Sequence, residues 1–367
     1  MKIVVFGLSI SSSWGNGHAT LWRGLVRALA RRGHRVVFFE HDAPYYAANR
    51  DLWEVRGGEL VLYADWQEAA ARGRVELADA EIGMVTSYCP QGIEASELVL
   101  GSGAETRVFY DLDTPVTLSC LRDGGTTSYI GPRGLADFDL VLSYTGGAAL
   151  TELRTRLGAR RVAPLYGSVD PDTHRPVDPA PHYAADLSYL GTYAEDRQAA
   201  LEAFLVEPAR LRPERRFLIG GAQYPQAFPW CDNIYFVRHL PPSEHPAFYA
   251  SSRLTLNITR RAMAEMGWCP SGRLFEAAAC GAPILTDWWD GLDRFFEPGR
   301  EILVARGTGD AVAALDLSDA ELRRIAADAR ARTLTEHTAD RRVDDFEAAL
   351  GGIGRSAAPS SIQAMEA

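Results

Sequence analysis

The chain has 367 residues, 47% of them hydrophobic and 23% charged, with a formal net charge of -10. That length accommodates two domains of ordinary size with a core in each. The acidic balance argues against a general nucleic-acid binder, because a phosphate backbone needs a basic face, and no apolar run reaches the roughly 18 residues that a membrane span requires.

The first apolar run, KIVVFGL (2–8), predicts a buried strand. It is too short for a signal peptide and gives way at once to serines. A helix is expected over about 17–32, with Leu21, Trp22, Leu25, Val26 and Leu29 on one face and Arg23, Arg27 and Arg31 on another. Gly33 is a natural stop for it, and RVVFFEHD (35–42) reads as the second strand.

Between strand and helix, Gly15-Asn16-Gly17 invites comparison with a dinucleotide fingerprint, with Glu40 or Asp42 as the ribose acid. The third glycine position is Thr20, and the loop from Leu8 to Gly15 is too long for that tight turn, so an NAD-dependent oxidoreductase is disfavoured. A Gly-rich loop still lets a ligand approach backbone N–H groups at a helix N-terminus. His18 would project from the first helical turn, placed to accept a proton or to bond a hydroxyl.

Further strands are expected near 59–63, 81–86, 106–111, 139–144 and 161–165. Their nearly continuous apolar character is that of buried parallel strands. YDLDTPVT sets Asp111 and Asp113 at the end of the third of these, where either acid can orient an acceptor hydroxyl or hold a loop. The spacing alone would also admit Mg²⁺.

A segment with four prolines, YGSVDPDTHRPVDPAP (166–181), marks a linker. A second set of strands follows at 186–193, 215–222, 233–240, 253–259, 282–288 and 301–305. Two βα-repeating halves imply two doubly wound α/β domains, 1–168 and 169–345, with a ligand in the cleft at the C-terminal ends of both sheets. Residues 318–350 read as helix, and the end of the chain, from 346 in the domain division and clearly from 354, as a tail.

In PSGRLFEAAACGAPILTDWWDGL (270–292), Ser271 can cap a helix that carries Arg273 and Glu276 and ends at Gly281. A carboxylate in the second turn can accept both hydroxyls of a ribose, and Arg273, on the same face, can reach a phosphate or pair with Glu276. His41, His174, His239 and His245 show no triad or zinc spacing and receive no role. The five cysteines, Cys89, Cys120, Cys231, Cys269 and Cys280, lack CxxC or Cys/His ligand spacing and read as reduced thiols in the cytoplasm.

RLFEAAACGAPILTD resembles the nucleotide-sugar motif of GT-B glycosyltransferases. GNGHAT, DLDTPVT (111–117), LYGSVDP (165–171), LGTYAEDR (190–197) and SGRLFEAAACG together resemble the CgeB-like branch, named for spore maturation. The resemblance spans roughly residues 1–350 and implies two Rossmann-like domains, a nucleotide-diphosphate sugar as co-substrate, no other cofactor and no metal. Glu276 takes the place of the glutamate that holds the donor ribose. An earlier glutamate of the retaining branch falls on Trp268, which weakens the implied retention. By the same resemblance Gly17 and Gly191-Thr192-Tyr193 lie beside the donor, Arg260 meets the diphosphate, and Asp287, within Asp287-Trp288-Trp289-Asp290-Gly291, touches donor sugar hydroxyls. His18 and Asp113 are the expected catalytic pair, and Arg197 is expected on the surface. The implied activity is hexosyl transfer to a small or modified acceptor by a monomer or homodimer; a nucleotide-sugar epimerase and a non-catalytic carbohydrate-binding protein are the alternatives.

Overall fold

The computed structural model describes residues 1–354. Its first seven strands are β1 (Lys2–Gly7), β2 (Arg35–His41), β3 (Gly58–Tyr63), β4 (Ile82–Thr86), β5 (Thr106–Asp111), β6 (Leu140–Ser143) and β7 (Val162–Pro164). They form one parallel sheet in the order β3-β2-β1-β4-β5-β6-β7. The second sheet holds β8 (Leu187–Leu190), β9 (Phe217–Gly221), β10 (Ile234–Arg238), β11 (Thr255–Asn257), β12 (Ile284–Asp287) and β13 (Leu303–Ala305). It is also parallel, in the order β10-β9-β8-β11-β12-β13. In each sheet the strand order reverses beside the first strand of the set, between β1 and β4 and between β8 and β11. Such a switch point opens a crevice at the strands' C-terminal ends.

The inner strands are buried because helices cover both faces of each sheet, whereas the edge strands β3, β7 and β10 are more open. Val4, Val5, Phe6, Val37, Phe38 and Phe39 are all inaccessible to solvent, which is why β1 and β2 carry unbroken apolar runs. The helix Gly17–Arg31 lays Leu21, Trp22, Leu25, Val26 and Leu29 onto this core. Its polar face ties down three different segments. Arg23 pairs with Asp51 (2.6 Å), Arg27 with Asp170 in the linker (2.6 Å), and Arg31 with Asp340 (2.8 Å).

Residues 318–350 form two helices, Asp319–Glu336 and Ala339–Gly354. Ser318 and Glu321 make a reciprocal capping box at the first start. The break at His337-Thr338 lets Thr338 bridge Val169, and the last helix then packs against Gly17–Arg31 with Ala339, Val343 and Phe346 in the core of the first sheet. Residues 346–354, expected to begin a tail, therefore continue a packed helix, and Phe346 is buried. The rest of that expected tail, 355–367, lies outside the described residues.

Candidate functional site

A cleft of about 540 Å³ runs between the C-terminal ends of the two sheets. One wall is the loop after β1. Gly15 adopts φ +60°, and Asn16 caps the following helix by accepting the His18 N–H at 3.0 Å. The same Asn16 side chain donates to the carbonyls of Ser9 and Ser12, both at 3.1 Å. Beneath the loop Glu40 is fully buried. It accepts the Ser9 hydroxyl (2.9 Å), the Ile10 and Ser11 N–H groups (2.8 and 3.0 Å) and the Ser11 hydroxyl (2.6 Å). The residue that a dinucleotide reading would offer to a ribose is thus consumed in shaping the loop, and Asp42 pairs with Arg50 at 2.6 Å.

This wall aims His18 at the end of β5. His18 Nε2 lies 2.8 Å from Asp113 Oδ2. An imidazole facing a carboxylate keeps its proton on the facing nitrogen, and Nδ1, which is shielded from solvent, has no protein partner. Asp111 stands behind, fully buried, and accepts the Asp113 N–H (3.1 Å) and the Thr117 hydroxyl (3.2 Å). Burial pushes its carboxyl up to about 6. It supports the turn that presents Asp113, so the two acids are not arranged as a pair facing the cleft. Tyr88, at φ +62°, turns its ring edge toward His18, and burial with the nearby Asp113 raises its phenol to about 12.

The opposite wall comes from the second sheet. Gly191 and Thr192 line it at the tip of β8. A Cβ on Gly221 would stand 2.1 Å from the Gly191 carbonyl, so β8 and β9 meet here only through glycine. Arg197 also lines the cleft and is 9% exposed, which corrects its expected place on the surface. Its Nη2 donates to the Thr192 carbonyl at 2.7 Å, its Nε has no partner, and burial lowers its pKa. Arg273 reaches the same wall from the helix Gly272–Ala279, donating to the Leu190 carbonyl at 3.0 Å. Among the described residues no carboxylate forms an ion pair with either guanidinium. Ser271 occupies the cap position of that helix but makes no capping bond, leaving its first N–H groups open at the cleft. Arg260 lines the cleft as well, and is held by Asp196 at 3.3 Å.

Glu276 sits one turn into the same helix, 7% exposed, at the floor of the cleft. Burial pushes its carboxyl up to about 7, against the pull of the Arg273 charge. Its Oε2 lies 3.8 Å from His245 Nδ1. His174, from the linker, joins them, so two histidines that the spacing left without a role meet at this acid.

Two residues expected beside the donor lie outside the cleft lining. Tyr193 packs its ring on Tyr224 at 5.6 Å. Asp287 accepts the Thr259 N–H and hydroxyl at 2.9 and 3.1 Å, so it braces the turn leading to Arg260. Trp289 is buried against Phe295, and Trp288 lies under Arg306. Trp268, at φ +51°, bridges the halves instead: its carbonyl accepts the Gly146 N–H at 3.0 Å, and its N–H donates to the Asp290 carbonyl at 2.7 Å. Arg197 carries no sequence signal, because an Arg after Glu-Asp in a turn reads as solvated. His174 and His245 are 71 residues apart, a separation only the fold can close.

Compared with known structures, the chain is similar over nearly its whole length to a sucrose-phosphate synthase from Thermosynechococcus elongatus, with a TM-score of 0.67, 13% identity, and coverage of 97% of this chain and 100% of that one. It is similar to an alpha-glucosyltransferase in complex with UDP-glucose and DNA containing an abasic site, with a TM-score of 0.70, 12% identity, and coverage of 96% and 99%. The fold is GT-B. Anabaena HepE, in complex with UDP and glucose, is a third similar GT-B structure, with a TM-score of 0.67, 14% identity, and coverage of 96% and 100%. Residues 197–348, which lie in the second half and include the last helix, match the family model described as glycosyl transferase-like. No curated protein matches the sequence. Among the described residues no helix is long and apolar enough to cross a membrane.

Proposed function

We propose that the protein is a glycosyltransferase that moves a sugar, a hexose by resemblance, from a nucleoside-diphosphate donor to an acceptor hydroxyl. One observation carries the reading. In an acidic chain, Arg197 and Arg273 line a cleft with no carboxylate at ion-pair distance, Arg273 sharing only the longer-range pull of the buried Glu276, beside an uncapped helix N-terminus. Buried charge without a counter-charge is costly unless a ligand supplies one. A diphosphate does so at the guanidinium groups and helix N-terminus, while the Glu276 oxygens accept ribose hydroxyls. The similar structures that hold UDP or UDP-glucose support uracil as the first base to test.

In the reaction the His18 imidazole removes the proton of the acceptor hydroxyl, and the hydroxyl oxygen attacks the anomeric carbon. The bond from that carbon to the phosphate oxygen breaks, and the diphosphate leaves with the electron pair. Asp113 holds the imidazole in the needed tautomer and stabilises its cation. Arg197, Arg273 and the helix N–H groups stabilise the charge that builds on the leaving phosphate, the larger effect on rate. Arg260, tied to Asp196, is placed to close on the same phosphates.

The His18–Asp113 contact favours direct displacement with inversion over the retention that the Glu276 motif implies. Trp268, where the retaining branch has a glutamate, points the same way. An epimerase would need an acid and a base on one sugar carbon, whereas His18 and Asp113 touch each other and supply a single base backed by its carboxylate. The test is a thermal-shift panel of UDP, GDP, ADP and dTDP with and without EDTA, followed by product analysis by NMR. A diphosphate that stabilises the protein in EDTA, loses its effect in Glu276→Ala, and whose sugar ester yields an inverted glycoside is the expected result. Stabilisation by no diphosphate defeats the proposal.

A further inference from the structure

His174, His245 and Glu276 come from three separate segments: the linker, the first turn of a short helix (His245–Ala250) and the helix Gly272–Ala279. A turn seats His174, whose N–H donates to the Asp170 carbonyl at 2.9 Å; Asp170 is in turn the residue that Arg27 pins. All three side chains are shielded from solvent, at 1% exposure for His174 and side-chain exposures of 12% and 10% for His245 and Glu276.

The ligand-capable atoms converge. His174 Nε2 lies 3.3 Å from His245 Nδ1, and His245 Nδ1 lies 3.8 Å from Glu276 Oε2, all within 4.8 Å of one another. Zinc bonds of about 2.0–2.2 Å to imidazole and carboxylate in tetrahedral geometry set ligand atoms about 3.4 Å apart. The two separations at His245 Nδ1, 3.3 and 3.8 Å, are close to that spacing.

The tautomers agree. His245 Nε2 faces the Leu240 carbonyl at 3.2 Å and must donate there, so Nδ1 presents its lone pair to the cluster. An imidazole held by a backbone carbonyl through its other nitrogen is the usual outer-shell arrangement of a metal-bound histidine. His174 Nδ1 has no partner, so the proton now between the two rings can move to it without breaking another bond.

We propose that His174 Nε2, His245 Nδ1 and Glu276 Oε2 form a binding site for a divalent transition metal, with Zn²⁺ the best match to this nitrogen and oxygen set. His245 and Glu276 line the cleft, so the site sits in its floor and stitches the linker to the second sheet's helices. The site shares Glu276 with the donor reading, so metal and ribose compete for that carboxylate; the metal is therefore titrated without nucleotide and the nucleotide in chelator, and each result stands without the other.

The test uses the full chain, stripped with chelator and titrated with Zn²⁺ by calorimetry and with Co²⁺ by visible absorption, with no nucleotide present. One equivalent of Zn²⁺ is expected, and the Co²⁺ spectrum should show tetrahedral nitrogen and oxygen ligation without thiolate bands. His174→Gln and His245→Gln should each weaken Zn²⁺ binding by more than about tenfold while leaving metal-free melting unchanged. Should either variant fold poorly, X-ray absorption at the zinc edge of the wild-type protein decides: two imidazoles support the site, and a sulfur shell overturns it. No stoichiometric binding, or equal affinity in both folded variants, also overturns it.

Discussion

Replacing Asp113 with Asn tests the proposed chemistry at its narrowest point. The carboxylate lies 2.8 Å from His18 Nε2, with side-chain exposures of 15% for the His and 18% for the Asp, so solvent screens the pair only in part. Asn keeps the size, and its amide oxygen can still accept the Nε2 proton. What it removes is the negative charge opposite the imidazolium that forms as the acceptor hydroxyl loses its proton. A hydrogen bond to a charged group contributes about 1.5–3 kcal/mol, and a neutral one about 0.5–1.5. If that difference of about 1–1.5 kcal/mol is realised only in the transition state, kcat falls about 5- to 13-fold at unchanged donor affinity. His18→Ala removes the base itself, for a loss of about 10²–10⁴. Because Asp113 acts through His18, the double variant should fall no further than His18→Ala alone. The assay is release of nucleoside diphosphate from the donor chosen by the thermal panel, with water as acceptor where no better one is known. Turnover of Asp113→Asn within twofold of wild type refutes the argument, as do losses that add in the double variant.

Arg197→Met should weaken diphosphate binding by about 2 kcal/mol or more, the typical worth of a charge-assisted contact. In the ligand-free protein the same change should leave urea stability unchanged or raised, since it removes a buried charge without a counter-charge; a lowered stability with unchanged binding would make Arg197 structural. Glu40→Ala leaves the Ile10 and Ser11 N–H groups unpaired in a buried loop, at about 1–3 kcal/mol each, and urea unfolding should show a loss of about 2–6 kcal/mol. His337 lies buried between Phe275, Phe295 and Phe296, and its Nδ1 accepts from Arg342 at 2.9 Å. Burial, then the Arg342 charge, holds it down to about 3. The unfolded imidazole takes a proton near 6.5 that the folded one refuses, so its contribution is complete above pH 6.5 and is lost at about 1.4 kcal/mol per unit as pH falls toward 3. Stability measured from pH 7 to 4 should fall less steeply in His337→Gln than in wild type.

The strands were legible because parallel sheets bury both faces, so each strand is an apolar run bounded by Gly, Pro or charge, as in KIVVFGL and APILTDW. The helix break at His337-Thr338 was hidden. Both sides are good helix formers, and the stop comes from Thr338 pairing with Val169, a contact across half the chain. At the site, Glu276 and Gly191 could be placed from local pattern, since Gly191 follows the end of a strand and Glu276 lies one turn past the start of a helix. The meeting of His18 with Asp113 is a matter of topology, as β1 and β5 lie on either side of β4. Asp287 was expected beside the donor sugar from the resemblance. Its acceptor capacity is taken by Thr259, and a sequence does not reveal which neighbour claims a carboxylate first. Arg197 shows the converse: a charge that looks solvated in a turn becomes buried once the strand beside it is packed.

The return of the final helix to the first sheet has a consequence for dissection. Val343 and Phe346 complete the apolar layer that Trp22 and Leu25 begin, although more than 300 residues separate them. An amino-terminal fragment severed in the proline-rich stretch would leave that layer open to water and prone to self-association. The two lobes are joined by a pair of crossings instead of one. Any bisected version therefore has to carry the closing segment on the wrong piece, or graft it back by circular rearrangement.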